Sequence, residues 1–336
     1  MTHTVCLVPG DGIGPEVTSV AKRVIEAANV DIEWVNLPAG ETGIEFFGNP
    51  LPERTIAAII GHGIALKGPI TTQVASGHGN VSIRLRQRLG LSAAVRPVKS
   101  IPGVKALHPK VDLIIIRENT EGLFAGIENE VAPGVTQALK VCTADVSTRI
   151  ARFAFEYALS HDRRKVTVFH RADLLRRTDG LLLRCARKAH RSFSDQIVYE
   201  EMNIDNGCMQ LVRNPSQFDV ILLDSLTGGM VSSIAAGLVG GPGMVPSASF
   251  GSQCVLFEPL HGSAPDIARK GIANPLACIL SGAMMLEHLG EDAAASRIRS
   301  ACELALSTGD ASVLTPDLGG SGSTASLTDA VIRALK

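Results

Sequence analysis

The chain has 336 residues, which is long for one ordinary core and predicts about two domains. Hydrophobic residues make up 45% of the chain and charged residues 19%, a composition that excludes a disordered protein. The net charge of −1 and the lack of a basic stripe argue against a nucleic-acid partner, and no apolar run reaches the roughly 18 to 20 residues of a membrane span.

The N-terminal sequence MTHTVCLVPGDG enters a predicted strand directly, with no basic region followed by an apolar core. We therefore expect no signal peptide and a cytoplasmic protein. The seven cysteines are scattered and form no C-x-x-C pair. This spacing predicts buried, reduced thiols rather than a disulfide framework or a zinc site.

Short apolar runs alternate with helical patterns along the chain. In chain order the predicted strands and helices are TVCLVPG, GPEVTSVAKRVIEAA (helix), IEWVNLP, VDLIIIREN, STRIARFAFEYALSH (helix), KVTVFH, RTDGLLLRCARKAHRSF (helix), FDVILLD and two C-terminal helices, NPLACILSGAMMLEHLG and EDAAASRIRSACELALSTG. This alternation predicts an α/β protein with a largely parallel sheet.

Two strand-to-helix turns have the composition of a functional site. PGDGIGPEV (9–17) carries only part of a dinucleotide fingerprint, so a tight turn is the simpler interpretation of this motif alone. LDSLTGGMVSSIAAGLVGG (223–241) follows a buried-strand pattern, yet it has no charged residue from 225 to 241. This second turn has the shape of an active-site segment without the usual acid or base.

Long motifs then follow one another in a family-specific order. They are PGDGIGPEV, ALKGPITT (65–72), LRQRLGLSAAVRPV (85–98), VDLIIIRENTEGLFAGIE (111–128), IDNGCMQLV (204–212), AAGLVGG (235–241), FEPLHGSAPDIARKGIANP (257–275) and TPDLGG (315–320). Together they resemble the β-decarboxylating dehydrogenases, which are the isocitrate, homoisocitrate and 3-isopropylmalate dehydrogenases. The NAD-linked isocitrate and homoisocitrate branches are nearest.

The resemblance implies an isocitrate/isopropylmalate dehydrogenase-like two-domain fold. Its large domain would comprise residues 1–98 and 246–336, and its small, dimerising domain residues 99–245. The active site would lie in the interdomain cleft and be completed by a second subunit. We therefore expect a homodimer or a hetero-oligomer with an active homologue.

The family's anion-binding positions are retained. Arg86, Arg96 and Arg117 match its three substrate arginines, and arginine suits carboxylates because its planar fork binds them in a bidentate manner. The family's serine and asparagine just upstream are Asn80 and Ser82 here, a swap that speaks against isocitrate itself as the ligand. The resemblance implies a small polycarboxylate or phosphonate ligand.

The family's nucleotide loop is also retained. Asp266 stands where NAD-dependent members carry an acid, which would accept hydrogen bonds from ribose hydroxyls and repel a 2′-phosphate. We therefore expect NAD, if a nucleotide binds. One family glycine in the loop is Arg269. The other positions that match cofactor contacts are Thr72, Glu258, His261, Gly262, Ser263, Ala264, Ile267 and Asn274.

The family's proton-transfer positions have changed. Its catalytic tyrosine is Phe124, its catalytic lysine is Arg171, and the asparagine that helps seat the nicotinamide is Asp173. Phenylalanine has no proton to transfer, and arginine keeps its proton at neutral pH. The resemblance therefore implies a site that lacks both general acid/base groups.

The family's metal positions have changed as well. Two of its aspartate ligands are Gly229 and Ser233, and Asp205 alone matches the third, which in the family comes from the partner subunit. Asp224 lies five residues before Gly229 and is either a displaced ligand or a structural carboxylate. One carboxylate is a weak site for a hydrated divalent cation, so we expect Mg²⁺ or Mn²⁺ binding to be weak or absent.

Three functions remain open from the sequence. The first is a non-catalytic family member that binds a polycarboxylate, and NAD as a further ligand, and acts as a regulatory subunit. The second is a divergent NAD-dependent oxidoreductase or decarboxylase, with Asp173 as a base, acting on an isocitrate-like 2-hydroxy acid or a phosphonate. The third is an ordinary metal-dependent isocitrate or homoisocitrate dehydrogenase, which the changed positions favour least.

Overall fold

The structure, a computed structural model, describes residues 2–72 and 79–336. Within these residues ten strands form one mixed sheet, and two more form a separate hairpin. The strands are β1 (His3–Val8), β2 (Ile32–Asn36), β3 (Ile64–Lys67), β4 (Ala93–Lys99), β5 (Asp112–Glu118), β6 (Gly122–Ala132), β7 (Val135–Val141), β8 (Lys165–His170), β9 (Val198–Asn203), β10 (Val220–Leu223), β11 (Pro246–Phe250) and β12 (Val255–Pro259).

Helices cover the sheet and connect its strands. They are α1 (Gly14–Ala27), α2 (Glu41–Phe47), α3 (Glu53–His62), α4 (Val81–Arg88), α5 (Ala144–Ser160), α6 (Thr178–His190), α7 (Ile204–Arg213), α8 (Ser225–Leu238), α9 (Leu276–His288), α10 (Asp292–Ser307) and α11 (Thr324–Leu335). None of the helices in the described ranges has the length and apolar character that a membrane crossing requires.

The strand order in the large sheet is β2-β1-β3-β12-β11-β4-β5-β10-β8-β9. Its two ends are parallel, whereas β11 runs antiparallel to both β12 and β4, and β4 runs antiparallel to β5. The largely parallel α/β sheet predicted from the sequence is therefore confirmed. The domain division at 98/99 and 245/246 stays a prediction, because the sheet is continuous across it.

Burial explains why these segments form strands and helices. The apolar runs of β5 and β10 are buried almost throughout, as the interior strands of a parallel sheet must be when helices cover both faces. Amphipathic α1 and α5 turn one apolar face to the sheet. Helix α9 is buried over most of its length, since β11, β12 and neighbouring helices surround it.

The glycine turn after β1 packs against a loop from the other end of the chain. Gly10 and Gly12 have φ angles of +74° and +60°, which glycine adopts without a steric penalty. A Cβ on Gly12 would lie 2.0 Å from the Ser263 carbonyl oxygen. The next residue, Ile13, donates its backbone N–H to that same oxygen at 2.9 Å. This turn therefore positions the loop that follows β12.

Candidate functional site

A buried ionic cluster joins β3, α4 and β12. The Glu258 carboxylate accepts from Lys67 Nζ at 2.8 Å and from Arg86 Nη2 at 2.6 Å. Lys67 also donates to the Gly68 carbonyl at 2.7 Å. Burial alone raises the pKa of Glu258, but Arg86 and Lys67 outweigh burial and hold that pKa well below its usual range. Glu258 is thus a fixed negative charge that orients Arg86.

Two more predicted arginines, Arg96 on β4 and Arg117 on β5, lie buried beside this cluster. They are 5% and 4% exposed, and the Nε of each has no hydrogen-bond partner. Within residues 2–72 and 79–336, neither has a carboxylate oxygen within 4.0 Å. Burial and the nearby Arg86 lower the pKa of Arg96 to about 10, and burial with both neighbouring arginines lowers the pKa of Arg117 further below its ordinary value.

These contacts leave an excess of positive charge in a buried place. Glu258 is bonded to Lys67 and Arg86 and attracts Arg96 and Arg117 from farther away, and the buried Glu118 also attracts Arg117. Buried cations without a paired carboxylate are costly, so the cluster has a positive charge that an anion would offset. The structure thus brings together the three arginines that the sequence predicted.

Neutral groups surround the guanidinium of Arg117. Its Nη2 donates to Asn119 Oδ1 at 2.5 Å, and Asn119 in turn donates to Ser249 Oγ at 3.3 Å. Its Cζ lies 5.3 Å from the centre of the Phe124 ring, a cation–π distance. Phe124 therefore contacts Arg117, one of the clustered arginines, through the face of its ring.

Helix α8 begins directly after β10, as the predicted strand-to-helix turn requires. Asp224 caps it through Oδ1, which accepts from the Thr227 N–H at 2.9 Å, while Oδ2 accepts from Lys140 Nζ at 2.5 Å. Farther along, the Ser233 hydroxyl donates to the Gly229 carbonyl at 3.2 Å, within the helix itself. This geometry favours the structural interpretation of Asp224 and leaves α8 without a carboxylate at Gly229 and Ser233.

Arg171 lies in an ionic network just after β8. Its Nη1 donates to Asp205 Oδ2 at 2.6 Å, and its Nε lies 3.4 Å from Asp173 Oδ1. Asp173 also accepts from Asn203 Nδ2 at 3.2 Å. The backbone N–H of Arg171 donates to Asp179 Oδ2 at 2.8 Å. The structure therefore brings together Arg171, Asp173 and Asp205, with both aspartates held by the same guanidinium.

The predicted polar pair before the arginines lies at the start of α4. Asn80 caps this helix, because its Oδ1 accepts from the Ile83 N–H at 3.0 Å. Ser82 is half-buried and lies one helical turn before Arg86, so both project from the same helix face. Asn80 therefore has a structural role, and Ser82 is the member of the pair that lies beside the arginine cluster.

The predicted nucleotide loop runs between β12 and α9 and is anchored at Ser263. The Ser263 hydroxyl accepts from Thr71 Oγ1 at 2.8 Å, next to the exposed Thr72. His261 bonds to the Gly262 carbonyl through Nδ1 at 3.0 Å, its Nε2 has no partner, and burial lowers its pKa. These contacts fix the backbone of the loop before Ala264, which has a φ of +38°.

The second half of the loop has one buried and two accessible predicted residues. Asn274 is buried, donates to Asp317 Oδ2 at 2.9 Å and accepts from the Leu276 N–H at 3.0 Å. Asp266 is exposed and Ile267 half-buried. The loop thus offers an exposed acid and an apolar side chain beside a rigid amide, a set that fits a nucleoside.

The comparisons with known proteins decide the family. Residues 4–331 match the isocitrate/isopropylmalate dehydrogenase family. The chain belongs to this family. Its solved relatives include the crystal structure of isocitrate dehydrogenase from Methylococcus capsulatus, with a TM-score of 0.95 and 42% identity over 99% of both chains. The predicted isocitrate/isopropylmalate dehydrogenase-like fold is therefore confirmed.

Curated relatives of this dehydrogenase family include proteins named for different roles. A mitochondrial isocitrate dehydrogenase [NAD] of Dictyostelium discoideum, named as a regulatory subunit, is 44% identical over 98% of this chain and 91% of its own length. The mitochondrial isocitrate dehydrogenase [NAD] catalytic subunit 5 of Arabidopsis thaliana is also 44% identical, over 98% and 87%. Overall identity therefore does not separate the two roles. Both relatives are named as mitochondrial proteins. The cytoplasmic location expected for this chain stays a prediction.

The divalent metal of the isocitrate/isopropylmalate dehydrogenase family does not fit the residues present. Asp205 is bonded to Arg171, and neither Gly229 nor Ser233 offers a carboxylate. Among the residues that the structure describes, no three His, Cys, Asp or Glu side chains are grouped so as to hold an ion. Mg²⁺ and Mn²⁺ prefer several oxygen ligands, so these side chains make a poor site for either.

Several site residues were missed by the sequence analysis. Lys140 bridges Asp179 and Asp224, at 2.5 Å to each, and Asn119 orients Arg117. Lys67 is almost fully buried on β3. A lysine within an otherwise buried apolar strand was a usable signal for Lys67, because buried lysines require a partner. The Lys140 bridge had no local signal, since its partners come from distant segments.

Arg269, at a family glycine position, adopts a left-handed backbone with a φ of +62°. This conformation costs a residue with a Cβ roughly 1–2 kcal/mol, whereas glycine adopts it freely but loses about 0.5–1 kcal/mol through chain entropy. We therefore expect Arg269→Gly to raise the free energy of unfolding by about 0.5–1 kcal/mol, measured by chemical denaturation.

Lys270→Gly is the matched control for this substitution. Lys270 is the next residue, is also exposed and has no left-handed φ, so its replacement should lower stability by about 0.5–1 kcal/mol. Equal effects of the two substitutions would contradict strain at Arg269.

Proposed function

We propose that this chain binds a small polycarboxylate and acts as a non-catalytic, regulatory member of its family. The observation that carries the proposal is the cluster of Arg86 with the buried Arg96 and Arg117, in which Glu258 pairs with Arg86, while no carboxylate of the described residues lies within 4.0 Å of Arg96 or Arg117. Arginine forks bind carboxylates in pairs of charge-assisted hydrogen bonds. A ligand with two or three carboxylates matches the surplus of positive charge, and a phosphonate is the alternative anion.

The loss of metal-dependent oxidative decarboxylation is supported by the proton-transfer positions. Phe124 has no ionisable group. Arg171 keeps its proton and is bonded to Asp205 and Asp173. A missing general acid or base reduces rates by about 10² to 10⁴. An ordinary dehydrogenase mechanism therefore has no proton donor or acceptor at these two places.

NAD binding is supported by the nucleotide loop. Asp266 is exposed, as an acceptor for ribose hydroxyls must be, and the Nε2 atom of the half-buried His261 is itself buried without a hydrogen-bond partner, so a ligand could bond to it. When bound, NAD would supply a hydride acceptor. Ser263 would then serve as the anchor of the loop, and Ile267 would offer apolar contact to the base.

An oligomer is supported by exposed apolar residues on neighbouring helices. Met209 and Val212 of α7 are each 43% exposed, and Met230 and Ile234 of α8 are 58% and 36% exposed. Such a surface fits a second family member. The relatives named as regulatory and catalytic subunits favour an active homologue as the partner, with a homodimer as the simpler assembly.

The divergent oxidoreductase has less support. It needs Asp173 as a base, and this carboxylate already faces Arg171 and accepts from Asn203. A carboxylate engaged in both of these contacts is poorly placed to accept a proton from a substrate.

Two assays with the full chain test the proposed function. Calorimetric titration with isocitrate and tricarballylate should show binding, and neither acid should yield reduced NAD, with or without Mn²⁺. Added to an active NAD-dependent homologue from the same source, the chain should associate and change the homologue's kinetics. Turnover by the chain alone would refute the loss of catalysis. If the chain bound neither isocitrate nor tricarballylate, the polycarboxylate site would be refuted.

A further inference from the structure

A cavity of about 320 Å³ lies on the side of the large sheet away from the arginine cluster, between the end of α5 and helices α9 and α10. Pro97 of β4 and Ile114 of β5 line it, and they are direct partners in antiparallel register, so both face the same side of the sheet. Arg96 is one residue from Pro97, and Arg117 is three residues from Ile114. Because successive strand residues alternate between faces, both arginines project from the opposite side. The cavity and the cluster are therefore separate places.

The α5 side of this cavity is aromatic. The rings of Tyr157 and His161 are stacked, with centroids 3.8 Å apart and planes 13° apart, and His161 is exposed. A second cavity of about 270 Å³ shares these two residues and is also lined by Phe250 and Phe257. Aromatic residues make up only 4% of the chain, so their concentration here favours a ligand with an aromatic ring.

The cations that line the first cavity all have carboxylate partners. Lys99 Nζ lies 3.0 Å from Glu303 Oε1, and Arg299 donates to both carboxylate oxygens of Glu287. Arg163 is paired with two further carboxylates. This arrangement differs from the arginine cluster, because its positive charges are already offset. Since burying an additional charge would be costly, the cavity fits an uncharged molecule.

Both predicted crossings between the two domains line the cavity. Pro97 and Lys99 flank the first crossing, and Met244 and Pro246 flank the second. A rotation about these crossings that widens this side of the sheet would narrow the opposite side. A molecule that fills the cavity should therefore favour closure around the arginine cluster.

We propose that this cavity binds an uncharged, bicyclic aromatic molecule, and that its occupation strengthens acid binding on the other side of the sheet. The volume suits two fused rings, because a cavity of about 150 Å³ already holds benzene and ligand pockets begin near 300 Å³. The site itself does not depend on the proposed function. Its regulatory effect rests on the proposed polycarboxylate site.

The first test titrates the full chain with 2-naphthol, which has two fused aromatic rings and is uncharged at neutral pH. Calorimetry should show saturable binding of about one molecule per chain, with a dissociation constant below about 1 mM. Decahydro-2-naphthol, the saturated compound with the same skeleton, should bind about twofold to tenfold more weakly because it has no aromatic ring. A lack of saturable 2-naphthol binding, or equal binding of the two compounds, would overturn the inference.

The second test fills the cavity with a side chain. Leu280 is half-buried on α9 and lines the cavity, so Leu280→Trp should weaken 2-naphthol binding by about tenfold or more. Leu335→Trp is the matched control, since Leu335 is a half-buried leucine of α11 that does not line the cavity. Unchanged binding in a folded Leu280→Trp protein would overturn the assignment of the site.

A milder variant keeps this test decisive if Leu280→Trp does not fold. His161→Ala removes the outer ring of the aromatic stack and should weaken 2-naphthol binding about twofold to tenfold. His62→Ala, at an exposed histidine of α3, is its control and should leave binding unchanged. Equal affinities of the two histidine variants would contradict stacking at this wall.

The third test measures coupling between the two sides of the sheet. At saturating 2-naphthol, the dissociation constant of tricarballylate should fall by about fivefold or more, and tricarballylate should tighten 2-naphthol binding by the same factor. Unchanged or weaker tricarballylate binding would overturn the regulatory effect. If tricarballylate bound in neither condition, the proposed function would be refuted, whereas 2-naphthol binding would still establish the cavity as a site.

Discussion

Replacing Glu258 with glutamine is expected to lower the free energy of unfolding by about 3–5 kcal/mol, the usual result of removing one partner from a buried ion pair. The carboxylate is the acid bonded to Lys67 and Arg86 in the cluster. Glutamine is neutral and would leave those two cations buried together with Arg96 and Arg117. Chemical denaturation at neutral pH measures the loss.

The loss should depend on pH. Lys67 and Arg86 hold the folded-state pKa of Glu258 below that of an unfolded glutamate, which is about 4.3. Its contribution to stability is therefore complete above that unfolded value and declines as the pH falls toward the folded value. The difference between the wild-type protein and Glu258→Gln should accordingly shrink in acid.

An exposed pair provides the control for Glu258→Gln. Glu53 bonds to Arg88 through both oxygens, but its side chain is 71% exposed. Glu53→Gln should change stability far less than Glu258→Gln, because solvent screens an exposed ion pair. A similar loss in the two variants would contradict the view that burial, rather than pairing, makes Glu258 important.

Replacing Arg117 with methionine should have effects of opposite sign on binding and on stability. Affinity for isocitrate or tricarballylate should fall by about tenfold to a hundredfold or more, because a charged bidentate contact is lost. The ligand-free chain should become about 1–3 kcal/mol more stable, since a buried cation with an unpartnered Nε gives way to an apolar side chain. Calorimetry and chemical denaturation measure the two effects.

Arg149→Met is the corresponding surface change. Arg149 is half-exposed on α5 and pairs with Asp145 one helical turn away. We expect no change in affinity and a stability change of about 0.5 kcal/mol at most. If Arg117→Met instead weakened the fold and bound the acids normally, Arg117 would be a structural residue and not part of a ligand site.

Regular patterns made much of the fold predictable. The apolar run FDVILL became β10, and STRIARFAFEYALSH became α5, because period and burial agree in both segments. The β6–β7 hairpin was missed, since most of its residues are exposed and show no clear alternation. A segment that buries neither face has no hydrophobic periodicity from which a strand can be predicted.

The candidate site was predictable in composition but not in pairing. Arg86, Arg96 and Arg117 were identified because they lie in motifs of a known family. That Glu258 would bond to Arg86, or Asp205 to Arg171, depends on how distant segments meet. The spacing of residues along the sequence does not predict such contacts. Only the folded structure shows which arginines have no carboxylate partner.

The place of β12 in the sheet has a consequence for synthesis on the ribosome. Strand β12 lies between β3 and β11, and Leu66 of β3 pairs with Phe257. At roughly 5–20 residues per second, β3 waits on the order of 10–40 s for this partner. Until then its apolar edge can pair with other nascent chains. The period of greatest aggregation risk therefore lasts until residue 259 has emerged.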